Sequence, residues 1–591
     1  MAVLAAMNNR ILRLHQCLIL QSTRPTQGWY LFWLLLSLVF ALWFSSMAMQ
    51  EAFSQSYVIQ DDARQHVFWM RRFLDTNAFP NDPIADYFQA VAPSGYTEFY
   101  RLAANLGFDP VVFSKVLPLG LTLITTGYSF GLCLELLPMP AVGFGASLLL
   151  NQIIWVNDDV VSGTPRAFVY PLLTAFLFYL VRRSLLPCLI TIVLQGLFYP
   201  QTVLLSAGLL TAQLLDWRRG LPRLSRHAAD YRFCCIGIGV AIAILLPYAL
   251  STSDYGPVAT WNDALTMPEF QPGGRVAFFS DDGNWKFWVE GGRSGLLPRY
   301  DRLPVALYAA IALPMMLWGS RWFPLTRHLR PPMRLLWDLI IVSLAWYGLA
   351  YAVLYRLHLP SRYTQHTFRI GLALATAIAL LILVDALLHW AEVAHGKHRW
   401  RNAVALGLSV AIALVLLLFP LFGQFPRPGY IEGDYPDLYV FFAQQPTDTV
   451  IASIADEASN IPSFSVRSVV TAREYAIPYH LGYYREFVQR TTDVITAQYS
   501  PNLDTLRTVT NRYNVDFWLL DRKAFAPIYL RRSWVNQYPA VTRPIMRSLR
   551  QGRIPMLQAV QFPCAVFENA DVLVVDAACA VEHGQDFIEA D

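Results

Sequence analysis

Apolar runs able to cross a bilayer recur through the first 422 positions, at 29–49, 112–137, 139–156, 166–181, 185–199, 201–215, 233–250, 303–319, 335–357, 370–388 and 403–422. The pattern predicts a polytopic α-helical membrane protein with about eleven crossings. The runs 185–199 and 201–215 are short, and Phe198-Tyr199-Pro200-Gln201 separates them. They read either as one helix kinked at proline or as a hairpin of two short helices. Flanking charge decides between these, because cytoplasmic loops accumulate Lys and Arg. Arg182 and Arg183 precede the pair, and Arg218, Arg219, Arg223, Arg226 and Arg232 follow it. One crossing would put the two basic clusters on opposite sides of the membrane, so the hairpin is the expected form. Arg321, Arg327, Arg330, Arg334, Lys397, Arg399 and Arg401 then also face the cytoplasm. Arg10, Arg13 and Arg24 precede the first run, which lacks a clear small-residue cleavage site and is expected to stay as a helix.

The outward connections are 50–111, 157–165, 251–302 and 358–369. Beyond the transmembrane part, 1–423, the segment 424–591 changes character. Strand-like runs at 449–454, 466–470 and 515–520 alternate with helical stretches at 484–498 and 503–513, which predicts an extracytoplasmic α/β domain. Composition agrees with the membrane assignment. With 55% hydrophobic and 15% charged residues, 591 residues carry too little polar surface for a soluble globule. The net charge of +4 gives no nucleic-acid reading, and no Gly-rich phosphate loop is present. Cys564 and Cys579 flank the alternation Val572-Leu573-Val574-Val575 and are a candidate disulfide if that region is extracytoplasmic. Cys17, Cys133, Cys188, Cys234 and Cys235 lie in or beside apolar stretches as packing residues.

Two acidic pairs stand at the outer ends of spans. Asp61 and Asp62 open a segment in which Val67, Met70, Phe73 and Leu74 recur at helical spacing, which predicts an amphipathic helix lying at the surface. The plain reading is that these aspartates cap that helix. The chemical reading is that one of them, its pKa raised by its neighbour, takes a proton from an acceptor hydroxyl, with His66 one turn on to orient it. Asp158 and Asp159 follow the third span, where Asn and Asp also suit a tight turn. If the pairs converge, they can hold a divalent cation, with Asp62 and Asp158 as ligands, or a sugar's hydroxyls. Arg362 and Arg369, in Pro360-Ser361-Arg362-Tyr363-Thr364-Gln365-His366-Thr367-Phe368-Arg369, break the charge rule by facing outward. A guanidinium there either grips a lipid phosphate or anchors the helix at headgroup level. The loop 251–302 adds Trp261, Trp285, Trp288, Arg293 and Arg299, whose aromatics suit interfacial anchoring and sugar stacking alike.

This layout resembles the GT-C class of membrane glycosyltransferases, which use polyprenyl-phosphate-linked sugars. The resemblance rests on the long first outer loop opening with an acidic pair, the acidic second outer loop, the helical hairpin for spans five and six, and the long loop after span seven. It implies that Asp61 or Asp62 is the catalytic acid of loop one, that Asp158 or Asp159 is the second acidic site, and that Arg362, with Arg369 beside it, contacts donor phosphate. The Trp-Trp-Asp-x-Gly sequence of oligosaccharyltransferases is absent, so the resemblance points to members that move a single sugar, such as the aminoarabinose and protein mannosyl transferases. In those a metal is not generally required, although the two acidic pairs keep Mg or Mn open. The expected function is transfer from a polyprenyl-phosphate sugar to a hydroxyl of a lipid, glycan or protein acceptor outside a bacterial inner membrane. The alternatives are a transporter or flippase of lipid-linked sugars and an inactive GT-C-like subunit. Transporters place ionisable groups near mid-membrane, whereas Glu135, Asp338 and Asp385 fall toward cytoplasmic ends.

Overall fold

Capping carboxylates and prolines set where the helices begin. Asp109 accepts from the Val111 and Val112 amides at 2.9 and 3.1 Å and opens Pro110–Leu136, whose first residue needs no amide partner. Asp82 caps Pro83–Val91 in the same way. The structure is a computed structural model that describes residues 15–21, 27–218, 221–250, 253–299, 303–393, 399–422 and 424–590. Arg10, Arg13, Arg24, Arg219 and Lys397 lie outside these residues.

Among the described residues six helices are long and apolar enough to cross a membrane: Gly28–Ala52, Pro110–Leu136, Ala228–Leu250, Pro331–Ala352, Pro360–Val393 and Trp400–Leu421. Shorter apolar helices, Pro140–Ile154, Pro165–Val181, Leu185–Phe198, Gln201–Ala212 and Val305–Trp318, fall on the remaining expected runs. The chain is an integral membrane protein. The proline break makes Leu185–Phe198 and Gln201–Ala212 two separate helices. Arg183, before the hairpin, lies 3.1 Å from Asp230, after it, so both basic clusters share one side. Glu135 pairs there with Arg330 at 3.4 Å and Arg182 at 3.7 Å, and Asp338 pairs with Arg334 at 3.0 Å. The acids near span ends therefore neutralise the arginines of the basic loops.

The C-terminal sheet has five strands in the order Ser468–Val469, Val450–Ala452, Phe517–Asp521, Val572–Asp576, Ala565–Glu568. The first three run parallel, and the last two are antiparallel to their neighbours. Alternation along the strands gives the sheet two apolar faces. Trp518, Leu520, Leu573 and Val575 face the layer formed by helices Leu481–Tyr499, Leu503–Tyr513 and Ala577–Ala590. Leu519, Val572 and Val574 join a core continuous with loop 50–111 and the transmembrane helices. Cys564 and Cys579 are joined by a disulfide.

The segment after Asp62 corrects one expectation. It is not a helix on the membrane surface but one α turn, Ala63–His66, followed by a 3-10 stretch, Phe68–Phe73. Val67, Phe68, Trp69 and Met70 are fully buried, and the Phe68 ring packs on Tyr475 of the C-terminal domain at 5.3 Å. Protein takes the place of lipid over its apolar face. The strand before it, Val58–Gln60, pairs antiparallel with Tyr430–Glu432, just past the last span.

The charge-based topology has a direct test. In chains whose free cysteines are replaced by serine, single cysteines at Arg226 and at the exposed Trp285 are expected to react with a membrane-impermeant thiol reagent from opposite faces of sealed vesicles. Labelling from the same face would overturn the assignment.

Candidate active site

Asp62 is released from the capping role that its position suggests. The Gln60 side-chain oxygen accepts from the Asp62 amide at 2.8 Å and the Ala63 amide at 3.4 Å, and the Asp62 side chain makes no cap hydrogen bond. The carboxylate instead points to Arg166, in the turn Pro165–Phe168 that leads into the next helix. Arg166 also pairs with Asp158 at 3.1 Å through Nη2 and with Asp159 at 3.1 Å through Nε. One guanidinium thus brings together carboxylates from the first and second outer loops.

Asp159 sits deeper than Asp158. Its side chain is buried and bonded to Arg369, and Tyr170 donates to it at 3.1 Å. Arg369 in turn donates to the Tyr170 hydroxyl at 2.8 Å and to Asn157 Oδ1 at 3.2 Å, and His366 Nδ1 lies 3.3 Å from the same hydroxyl. Burial pushes the Asp159 carboxyl up, but Arg369, Arg166 and His366 outweigh it and hold the group well below the usual carboxylate range. Asp158, although its side chain reaches solvent, is partly desolvated by the protein around it, and Arg166 and Arg362 outweigh that and hold it low as well.

Arg362 and Arg369, seven residues apart, occupy opposite environments. Arg369 is bound into the core around Asp159. Arg362, in the turn Pro360–Tyr363, has no carboxylate within 4.0 Å among the described residues. Its turn is tied to loop 251–302, because the Ser361 hydroxyl donates to Gly292 O at 3.1 Å and the Ser361 amide to Arg293 O at 3.4 Å. Arg293 is a second guanidinium with no carboxylate partner among the described residues, its side chain reaching only Ala277 O at 3.5 Å. Burial with Arg275 and Arg362 nearby lowers its pKa. A cavity of about 430 Å³ opens beside Arg293, with Phe278, Phe279, Lys286 and Glu290 in its wall, a volume within the range of small-molecule sites.

Asp61 faces elsewhere, toward Arg64 and, at 3.5 Å, Arg275. His66 packs edge-on to Phe88 at 5.9 Å, and burial lowers its pKa to about 4. His358, in the left-handed region at φ 62°, is lowered to about 3 by burial and by Arg362 and Arg293. The sequence reading gave no role to Arg166, Arg275 or His358. The first two are outward-facing arginines, the same signal that singled out Arg362.

Arg166 Nη2 lies within reach of both Asp62 and Asp158, the two carboxylates that would hold a divalent cation. While that guanidinium is in place the donor set does not fit a cation. Among the described residues, the group that gathers metal-ligand atoms closely is Cys564, Cys579 and His583, of which the cysteines are disulfide-bonded.

Two structures of the Archaeoglobus fulgidus oligosaccharyltransferase superpose on this chain. The one tethered to an acceptor peptide containing the NVT sequon matches with a TM-score of 0.53 and 12% identity, over 88% of this chain and 72% of its own. The apo form matches with a TM-score of 0.51 and 14% identity, over 86% and 72%. The chain has a GT-C-like fold. ArnT from Cupriavidus metallidurans, in the apo state, superposes more loosely with a TM-score of 0.43 and 10% identity, over 94% of this chain and 98% of its own. No family model and no curated relative matches the sequence.

The two arginines should separate in stability. Arg369→Met removes the more buried of the two guanidiniums that hold the Asp159 charge and is expected to cost about 3–5 kcal/mol, whereas Arg362→Met leaves thermal unfolding in detergent within about 0.5 kcal/mol of the parent chain. Equal losses would mean that Arg362 is also a structural ion. A pH dependence follows from His66 and His358. Their folded pKa values, about 4 and about 3, lie below the unfolded value of about 6.5, so the unfolded chain binds more protons in between. Their contribution is complete above about pH 6.5 and is lost as pH falls toward 4. The melting temperature should drop over that window, and less steeply in a His66→Gln/His358→Gln variant.

Proposed function

We propose that the chain is an inverting glycosyltransferase that moves a sugar from a polyprenyl-phosphate donor to an acceptor hydroxyl at the outer face of the membrane. The observation that carries this reading is a charge imbalance inside the site. Six arginines, Arg64, Arg166, Arg275, Arg293, Arg362 and Arg369, surround five salt-bridged carboxylates, Asp61, Asp62, Asp158, Asp159 and Glu474. The surplus is one positive charge, and Arg293 and Arg362 are the guanidiniums without carboxylate partners. A polyprenyl-phosphate sugar is a phosphodiester with one negative charge, which restores neutrality. A diphosphate donor carries one charge too many.

In this reading Arg362 and Arg293 hold the phosphate through charge-assisted hydrogen bonds that strengthen as the leaving oxygen gains charge. Asp62 is the base. Its side chain is 24% exposed, against 3% for Asp159, so an acceptor can reach it. It takes the hydroxyl proton while the hydroxyl oxygen attacks the anomeric carbon. The carbon–oxygen bond to phosphate breaks, its electron pair leaves with the phosphate, and configuration inverts. Asp158, 55% exposed, orients the sugar hydroxyls. Arg166 aims both carboxylates. The phosphate needs little protonation to leave, so no strong general acid is called for. The extracytoplasmic side is the one opposite the paired basic loops, and it carries the C-terminal domain.

The test is turnover of a panel of radiolabelled polyprenyl-phosphate sugars by the purified chain in lipid, with a membrane extract supplying acceptors. Asp62→Asn should lower transfer at least ~100-fold, in the upper part of the range for loss of a general base. Arg362→Met should raise KM for the donor. Full transfer by both Asp61→Asn and Asp62→Asn would rule out the base, and flipping of a lipid-linked sugar without transfer would favour a transporter.

A further inference from the structure

The turn that carries Asp62 has little structure of its own. Its strand is three residues long and its helix four, a length at which isolated helix does not persist. A buried charge cluster from the other end of the chain grips it. Glu474, 3% exposed in the C-terminal domain, accepts from Arg64 Nη2 at 2.8 Å and Arg275 Nε at 3.1 Å through one oxygen. Its other oxygen accepts from Gln65 Nε2 at 2.6 Å and from Arg275 Nη2, and its backbone carbonyl accepts from Gln65 Nε2 at 2.9 Å. Arg64 also donates to Asn460 Oδ1 at 3.0 Å, and Glu457 orients that amide by accepting from Asn460 Nδ2 at 3.0 Å. Arg64 and Arg275 then take up Asp61. Of the charged side chains at 61–65, Asp61 and Arg64 are drawn into this cluster, and Asp62 is left pointing the other way, to Arg166.

We infer that Glu474 is a positioning residue for the reaction: by gripping Arg64, Gln65 and Arg275 it sets the direction of the Asp62 carboxylate, so the C-terminal domain completes the catalytic loop. The inference rests on Asp62 being the base. It also gives Asp61 a different task from its neighbour, that of balancing the two arginines so that Asp62 is free. Without the Glu474 charge, Arg64 and Arg275 share Asp61 alone, and a lone carboxylate facing two guanidiniums pulls the turn toward them and away from Arg166.

Two full-length variants in lipid nanodiscs test this. Glu474→Gln keeps the shape and an acceptor for Gln65 but removes the charge. Glu474→Gln/Arg275→Gln removes one charge of each sign and guards against simple unfolding. In Glu474→Gln, amide exchange over 57–66 should rise at least ~10-fold, while exchange in 110–136 and 572–576 stays at the parent level. With a donor that the parent chain uses, kcat should fall at least ~10-fold and KM for donor change less than ~3-fold, the signature of lost transition-state geometry. The double variant should regain most of the protection and part of kcat. Unchanged exchange over 57–66 overturns the inference, and so does lost protection with parental kcat. A parent chain that transfers no sugar overturns the enzymatic reading instead, and the exchange result then decides the grip of Glu474 on the loop.

Discussion

Three carboxylates share Arg166. Asp62 comes from 104 residues upstream, while Asp158 and Asp159 are adjacent. Like charges about 4 Å apart repel by about 4 kcal/mol at the effective dielectric of a protein near its surface, enough to keep one of three protonated. One guanidinium at ion-pair distance from all three offsets that repulsion. The price is geometric, since the first and second outer loops must also meet where Arg166 stands, at the head of the fourth apolar run. Arg369 and Tyr170 secure Asp159 from below, so the cluster has a rigid, buried floor and an open side at Asp62 and Asp158.

The C-terminal domain explains why the first outer loop is not a surface feature. A sheet with helices on one face still has an apolar face to cover. Here the helix Pro436–Ala443 packs there, with Phe441 and Phe442 against Phe517, and loop 50–111 packs beside it, with Phe68 and Phe88 against Tyr475. The strand pair between 58–60 and 430–432 joins the two parts by backbone hydrogen bonds. The Glu269 carboxylate adds a further tie from loop 251–302, accepting from the Tyr484 and Tyr538 hydroxyls of the C-terminal domain. Three outward segments distant in sequence therefore form one body around the site.

Likeness of fold to the oligosaccharyltransferase leaves the chemistry to the side chains. In this chain the charge pairing is uneven. Among the described residues Arg293 and Arg362 are without carboxylate partners, while Arg166 and Arg369 are paired with carboxylates.

Sequence by itself determined the embedding of this protein and the places where polar groups gather. A run of about twenty apolar residues has one stable home, and the basic clusters around the hairpin can share a side only if the chain turns back. The acidic pairs and Arg362 were visible for the same reason, as charges placed where a bilayer surface disfavours them. Arg166, Arg275 and Arg293 carried that signal too, but nothing in their spacing ties them to partners. Only the tertiary structure decided which charges pair. Arg369 meets Asp159 across 210 residues and Arg64 meets Glu474 across 410, while Arg362, on the same short segment as Arg369, meets no carboxylate among the described residues. Coulomb energy depends on distance in space and on the water left between the groups. Neither is encoded in the spacing of residues along the chain, so the split between structural and free arginines appears only when the loops are folded together.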